Sequence, residues 1–530
     1  MEKYIKSNWK PLILAITFSV LASIFAVRVQ FLKGDVLDYA LLRNFDNTLR
    51  YGLYLGVFIV LELGFFYFYD RKRGKFAVNS MKEVRLDYFK GLLDKDYPSF
   101  LKKKQGEYIA QYTNEMEIIE NQFFSTIPML AEIIIKIVIV STSLFILDYR
   151  IAIMTLFLLT MPLYVPRLVE KKLQRAQTEF VKQFENHIKA ITDWLNGFEI
   201  IKNFSIEKNI KEKFIESNDN TMEKNLKKRQ MGYLTRTISA LLSYFSHFII
   251  LIFAAYLVLS GDFSAGDFFI AVGMIDQLSY PIISLSYFIQ DLVSVKPVNK
   301  SVLEFINEEP IKDGTIDIPK EDLKEVLFKD VFFGYEDHES IINDLNMKVV
   351  RDKQYLLKGI SGSGKTTSVN LLLDYYRPGS GAVEINGIPV NEIKNLNQII
   401  TIMRQDAVLF EESLRNNVTM YQEVSDEKVI SVLSKVGLDK YANHDSLDML
   451  IYEGGRNLSG GEKRRVTLAR SILRETPILI LDEPLANLDE KNAKAIESQL
   501  LSIRDRTLII ISHHFSPENI GKLDEIIEFK

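Results

Sequence analysis

The sequence predicts a multidomain fold in two parts. An all-α six-helix transmembrane domain with long cytoplasmic helical extensions comes first, and an α/β P-loop domain follows it. Three observations predict this. Six apolar stretches crowd into the first part of the chain, near 11–32, 50–69, 127–147, 151–169, 237–260 and 268–294. The polar segments between some of them keep Leu, Ile and Phe at helical spacing. Beyond Val326, short apolar strands alternate with amphipathic helices around one glycine-rich loop.

The chain has 530 residues, 47% of them hydrophobic, a formal net charge of −4 and no cysteine. That length suits several domains. The charge disfavours a basic nucleic-acid binder, so no nucleic-acid partner is expected. Without cysteine, a disulfide scaffold, a thiolate zinc site, an iron–sulfur cluster and a thiol-protease leader processor are excluded.

A membrane-crossing helix needs about 20 mostly apolar residues. The first stretch follows Lys3, Lys6 and Lys10 and runs on past Arg28 to Leu32. That is too long for a cleaved signal, so it reads as a retained span. The fifth stretch is free of charge over 237–261 but carries His247. Glu62 interrupts the second, Glu132 and Lys136 the third, and Asp276 the sixth. Charges within spans usually face the bundle interior. Glu132 and Lys136, one helical turn apart, can neutralise each other. Glu62, His247 and Asp276 lack an in-helix partner and are candidates to line a cargo path. The aromatic run from Phe65 to Tyr69 reads as an interfacial belt.

Residues 70–126 and 167–236 carry basic runs at Arg71, Lys72 and Arg73, at Lys102, Lys103 and Lys104, at Lys171 and Lys172, and at Lys227, Lys228 and Arg229. The joint at 148–150 is short, and 260–267 carries Asp262 and Asp267 without Lys or Arg. The positive-inside rule then places both long segments in the cytoplasm, and the even helix count leaves both chain ends there. Each segment must turn, near 97–106 and near 196–205. The expected division is a transmembrane domain over 1–300, a Pro- and acid-rich linker over 301–324, and a P-loop domain over 325–530. Strands expected at 326–333, 354–358, 399–403, 477–481 and 507–511 imply a parallel sheet with helices on both faces.

Gly359, Ser361, Gly362, Ser363, Gly364, Lys365 and Thr366 fill the G-x-x-x-x-G-K-[ST] phosphate loop, between an expected strand and a helix running from Thr367 to Tyr375. Glycines let the backbone curl round anionic oxygens, and the helix N-terminus adds partial positive charge. Lys365 suits the β- and γ-phosphates, and Thr366 suits Mg²⁺. Asp482 and Glu483 end an apolar strand. Asp482 is placed to hold the metal, and Glu483 to orient and deprotonate an attacking water.

Leu458, Ser459, Gly460, Gly461 and Glu462 stand between the phosphate loop and that acidic strand end. The pentad, so placed, resembles the signature of ATP-binding-cassette (ABC) proteins. The resemblance implies ATP and Mg²⁺ as cofactors and ATP hydrolysis as the reaction. It implies that Tyr335 stacks on adenine, that Thr367 joins the nucleotide contacts, and that Gln405 reaches Mg²⁺ and senses the membrane domain. It also implies that Asp489 ends a loop crossing a dimer and that His513 contacts the γ-phosphate. There are departures. Glu462 stands where glutamine is commoner, the crossing loop begins Pro484 and Leu485, and His514 replaces a commoner arginine.

Gly106 and Glu107 with Thr113 to Glu115, Gly197 to Glu207, and Tyr452 to Gly455 resemble two intracellular hairpins and a loop that meets them in exporter-type ABC half-transporters. That layout implies ATP-driven export of a lipid, peptide or amphipathic small molecule by alternating access. In the family, Ser459, Gly460 and Gly461 serve nucleotide on the opposite subunit. A second half-transporter is therefore required, as homodimer or heterodimer. Import of a metal chelate on the same architecture is the alternative, and a soluble cassette ATPase is a third reading that the six spans oppose. Abundant Lys, Ile, Asn and Phe suggest a bacterial membrane.

Overall fold

A computed structural model describes residues 1–308, 314–335, 340–485, 490–513 and 515–529. The expected crossing loop at Ala486 to Asp489, and His514, lie outside the described residues. The chain divides into two compact units. One holds 1–94 and 103–308. The other holds 309–530 together with the short segment 95–102.

The first unit is helical. Among the described residues, five helices are long and apolar enough to cross a membrane: Trp9–Leu41, Phe45–Leu93, Gln105–Leu147, Glu207–Leu259 and Ala265–Ile306. The fourth expected stretch falls short of that length. The apolar helix Tyr149–Thr160 has 12 residues and gives way to a tight turn at Met161–Tyr164 and then to the polar helix Val165–Asn196. Pro162 and Pro166 fall at that break, and proline removes a helix donor.

Local sequence starts these helices. Asn44 accepts a hydrogen bond from the Asn47 amide at 3.1 Å. Asp148 accepts from the amides of Arg150 and Ile151 at 2.8 and 3.2 Å. Ser264 and Asp267 form a reciprocal capping box. At Gly266 a Cβ would lie 2.6 Å from the Gly34 carbonyl oxygen, so only glycine lets Trp9–Leu41 approach Ala265–Ser294 there. The Asp38 carboxylate accepts from Ser264 Oγ and the Gly266 amide, both at 2.7 Å. Val27, Leu144, Ile151, Ala254 and Met274 belong to the buried core between the helices.

The helices overrun their apolar stretches, and turns fall near the expected places. The helix Phe198–Asn203 lies between Val165–Asn196 and Glu207–Leu259. The helix Tyr97–Leu101 is capped by Asp96, whose carboxylate accepts from the Ser99 amide at 3.3 Å. The start of the expected linker is helical, because Lys296–Ile306 runs through position 301. Val302 and Phe305 are buried, and Phe305 stacks on Tyr88 at 4.4 Å.

Among its described residues the second unit has nine strands: β1 Glu325–Phe333, β2 Ile342–Val350, β3 Gln354–Gly359, β4 Ser380–Ile385, β5 Ile388–Pro389, β6 Ile400–Met403, β7 Ile478–Asp482, β8 Thr507–Ile511 and β9 Glu525–Phe529. Five form a parallel sheet in the order β6-β7-β8-β3-β9. Both faces are covered, as expected. Along β7, Ile478 and Ile480 enter one core, while Leu479 and Leu481 enter the other. The first expected strand is a correction. β1 belongs to a separate antiparallel sheet ordered β2-β1-β4-β5. Only residues 334–341 join β1 to β2, and a parallel crossover needs about a dozen residues or more.

Candidate functional site

The phosphate loop turns from β3 into the helix Lys365–Leu372. Gly362 and Gly364 take φ of +85° and +91°, a left-handed geometry that side chains resist. The helix is shorter than the sequence suggests, and Asp374, at φ +54°, lies beyond its end. Lys365 is buried and donates to the carbonyls of Gly359 and Ile360 at 2.9 and 2.8 Å and to Ser363 Oγ at 3.3 Å. Its ammonium thus closes the loop upon itself. Burial lowers its pKa, with Glu483 and Asp482 opposing.

One cleft gathers the expected phosphate-site residues. Ser361 to Thr367, Gln405, Asp482, Glu483 and His513 line it. Asp482 ends β7 beside Ile511 of β8. Burial raises its pKa, against the nearby Arg404 charge. Thr366 Oγ1 lies 3.5 Å from Asp482 Oδ2. Glu483 takes a left-handed φ of +49°, and its amide donates to the Ile511 carbonyl at 2.9 Å. Its Oε1 accepts from the His513 amide at 2.9 Å, and the imidazole Nε2 stands 3.9 Å away. The cleft therefore holds an ammonium, a hydroxyl, an amide side chain, two carboxylates and an imidazole, beside a helix N-terminus. Oxygen donors from Thr366, Gln405 and Asp482 are of the kind a hard divalent cation takes.

Other expected residues lie elsewhere. Tyr335 is outside the cleft lining. Its hydroxyl is 3.5 Å from Thr367 Oγ1, and its ring meets Phe333 and Tyr376 edge-on at 5.0 and 5.1 Å. Gly359 sits at the end of β3, behind the loop. Ser459, Gly460 and Gly461 open the helix Gly460–Leu473 and do not line this cleft. Ser459 and Glu462 cap that helix reciprocally: the Ser459 amide donates to Glu462 Oε2 at 2.7 Å, and Ser459 Oγ accepts from the Glu462 amide at 3.2 Å. Burial raises the Glu462 pKa, but these bonds, the Tyr441 hydroxyl and Lys440 outweigh it and hold the carboxyl below its ordinary value. Glutamate in place of glutamine is thus accommodated. Asp489 lies outside the described residues.

Several functional contacts escaped the sequence reading. Arg464 of the Gly460–Leu473 helix donates to the Gln405 carbonyl at 2.9 Å. Arg470 of the same helix donates to the Asn417 and Val408 carbonyls at 2.7 and 3.1 Å. Arg404 donates to Asn370 Oδ1 at 2.6 Å and lies over the Tyr375 ring at 5.6 Å. The Tyr97 ring packs at a tilt on the same Tyr375 ring, 4.4 Å between centroids. The only signal for this chain of contacts was the aromatic pair Tyr375 and Tyr376 after the phosphate-loop helix.

In the helical unit, His247 finds a partner across helices. Its Nε2 lies 3.5 Å from Asp276 Oδ1 and 3.0 Å from Ser279 Oγ, and Nδ1 is 3.1 Å from the Ser243 carbonyl. Glu62, Glu132 and Lys136 line one small cavity with Ser19 and Ser23.

Comparison with known proteins agrees with both halves. The family described as ABC transporter transmembrane region matches residues 12–282, and that described as ABC transporter matches 342–486. The multidrug resistance-like ATP-binding protein MdlB of Buchnera aphidicola is 27% identical over 89% of this chain and 83% of its own length. The ATP-dependent lipid A-core flippase of Pseudoalteromonas translucida is 24% identical over 93% of this chain and 86% of its own. A solved bacterial Atm1-family ABC exporter with ATP bound shares the fold, with a TM-score of 0.80, 20% identity, and coverage of 100% of this chain and 93% of that one.

Proposed function

The chain belongs to the ABC transporter family, and from that premise we propose that it exports a lipid, peptide or amphipathic small molecule as a dimer of two half-transporters. It is an ATP-hydrolysing, multi-pass membrane transporter with its nucleotide-binding part in the cytoplasm. The transmembrane family match removes the soluble-cassette reading. A bacterial membrane is its proposed home, in keeping with the bacterial relatives.

One observation carries the reading: the phosphate loop, Gln405, Asp482, Glu483 and His513 converge on one cleft in a chain with membrane-length apolar helices. In the proposed site Lys365 turns from its loop carbonyls to the β- and γ-phosphates of ATP, and the loop amides hold the remaining oxygens. Thr366, Gln405 and Asp482 would hold Mg²⁺, which supplies charge neutralisation on the phosphates. Glu483 takes the proton of the attacking water, and the His513 side chain donates toward the γ-phosphate. Tyr335 packs against the adenine. Ser459, Gly460 and Gly461 offer helix N-terminal amides to the nucleotide of the partner chain, and Asp489 belongs to the seam between the two.

Tyr149–Thr160, with the helix that follows, completes a sixth crossing in this reading. The even count keeps both chain ends on the cytoplasmic side. The domain division is 1–300, 301–324 and 325–530. The two hairpins turning at Tyr97–Leu101 and Phe198–Asn203 transmit cassette closure to the membrane helices. Inclusion of 95–102 in the cassette's compact unit supports the first transmission. The exposed Phe198, Ile200 and Phe204 of the second hairpin leave an apolar foot for the partner chain to cover.

The test is Glu483→Gln in the reconstituted protein. Phosphate release is expected to fall by at least about a hundredfold, the scale of a lost general base, with ATP still bound. Turnover close to that of the unaltered chain would remove Glu483 from this role.

A further inference from the structure

Three apolar helices meet at a cavity near the middle of their spans. Ser19 and Ser23 of Trp9–Leu41, Glu62 of Phe45–Leu93, and Glu132 and Lys136 of Thr126–Leu147 line it. Its volume is about 40 Å³. One water needs roughly 10–15 Å³ of such space, so the cavity has room for a small charged group or about three waters.

The lining is unbalanced in charge. Two carboxylates of the lining meet one ammonium; beyond the lining, Lys33 also acts on Glu62, and Arg73, itself paired with Asp70, acts on Glu132. Glu132 and Lys136 stand one helical turn apart. Yet among the described residues none of the three charged groups makes a hydrogen bond, or an ion pair within 4.0 Å. Charge left unpaired within a span is costly, and such residues mark paths for ions or substrates.

Ser19 supplies the independent observation. It is 2% exposed, and its Oγ has no hydrogen-bond partner. Thr17 of the same helix bonds the Ile13 carbonyl one turn back at 2.9 Å, and Ser143 bonds Ile139 likewise, whereas Ser80 and Ser141 share Ser19's lack of a partner but do not line the cavity. Ser19 lines the cavity with that bond unmade. A buried hydroxyl oxygen without a partner offers lone pairs to whatever enters.

We propose that this cavity binds one monovalent cationic group, held by the carboxylates of Glu62 and Glu132 and the hydroxyl of Ser19. A single positive charge balances the three charged groups of the lining itself, which suits a protonated amine or an alkali-metal ion. The inference rests on the transport reading and deepens it: in the amine case the cargo is an amphipathic molecule with a cationic head. Lys136 competes with the bound cation for the same carboxylates.

The full chain in phosphatidylcholine nanodiscs, without nucleotide, tests this with radiolabelled octylamine, and with octanol as the neutral control. Octylamine is expected to bind saturably at one per chain, and octanol is not. Glu62→Gln and Glu132→Gln should each weaken binding at least tenfold, whereas Lys136→Met should tighten it, a change of sign that general damage to the bundle would not produce. Displacement by sodium or potassium chloride, compared with N-methylglucamine chloride at equal ionic strength, assigns the site to an alkali ion; indifference assigns it to the amine head. Thermal unfolding reports whether each variant is folded, and Ser19→Ala, expected to weaken binding severalfold, carries the test should a glutamine variant not fold. Octylamine binding unchanged in the glutamine variants, or matched by octanol, overturns the proposal. Because binding is read without ATP, its failure is distinct from a failure of ATP turnover.

Discussion

The His513 backbone amide, not its imidazole, makes the close contact with Glu483: 2.9 Å from the amide nitrogen to Oε1, against 3.9 Å from Nε2. Glu483 is therefore oriented by main chain, in a left-handed turn anchored to the Ile511 carbonyl. His513→Ala leaves that orientation in place and removes only the side-chain donor proposed for the γ-phosphate. A hydrogen bond to a charged group is worth about 1.5–3 kcal/mol, so turnover should fall about tenfold to a hundredfold. Steady-state phosphate release checks this. A loss as deep as that of Glu483→Gln would mean that the imidazole does more than donate to phosphate.

Tyr375 joins Tyr97 to Arg404, the neighbour of Gln405. Tyr375→Ala removes both ring contacts while leaving the phosphate loop intact. ATP affinity is expected to stay within about twofold, a difference under about 0.5 kcal/mol. Stimulation of ATPase by cargo should fall by more than half. Paired binding and turnover measurements check it, and full stimulation in the variant would show that the stack transmits nothing.

Glu462 gives a pH prediction whose sign is fixed. Its folded pKa lies below the ordinary value, so its contribution to stability is present above the unfolded value and disappears as pH falls through the folded one. Between neutral pH and the acid side of the carboxylate range, the unaltered chain should lose more stability than Glu462→Gln. Denaturant midpoints of the two proteins across that window provide the measurement. Parallel losses would show that the capping box contributes no proton linkage.

Asp38 accepts two hydrogen bonds at the start of Ala265–Ser294, from Ser264 Oγ and the Gly266 amide. Asp38→Ala strands both donors, at a cost of about 1–3 kcal/mol. A lower thermal midpoint in lipid is expected, with ATP affinity unaffected. An unchanged midpoint would show that water satisfies those donors equally well.

What the sequence made legible was contiguous. The phosphate loop and the acidic end of β7 each occupy one run of residues, so their chemistry could be read before any fold was known. The links between runs could not. Arg464 meets Gln405, Arg470 meets Asn417, and Tyr97 meets Tyr375 only once distant segments are packed together. The carboxylate facing His247, that of Asp276, stands on another helix, where no spacing along the chain reveals it. β1 shares the apolar pattern of the parallel strands, and the short connection to β2 was the cue to its antiparallel pairing. The fourth span read as continuous because hydropathy does not register the two prolines that interrupt it.

The central claim is that ATP turnover at the cassette moves an amphipathic molecule through the membrane helices. Proteoliposomes bearing outward-facing cassettes, loaded with ATP on that side and a fluorescent amphipathic amine, measure it most directly. Accumulation of the amine inside the vesicles, abolished by Glu483→Gln, is the predicted result. Steady ATP hydrolysis with no movement of any amphipathic probe, and a rate unaffected by deleting residues 1–300, would contradict it.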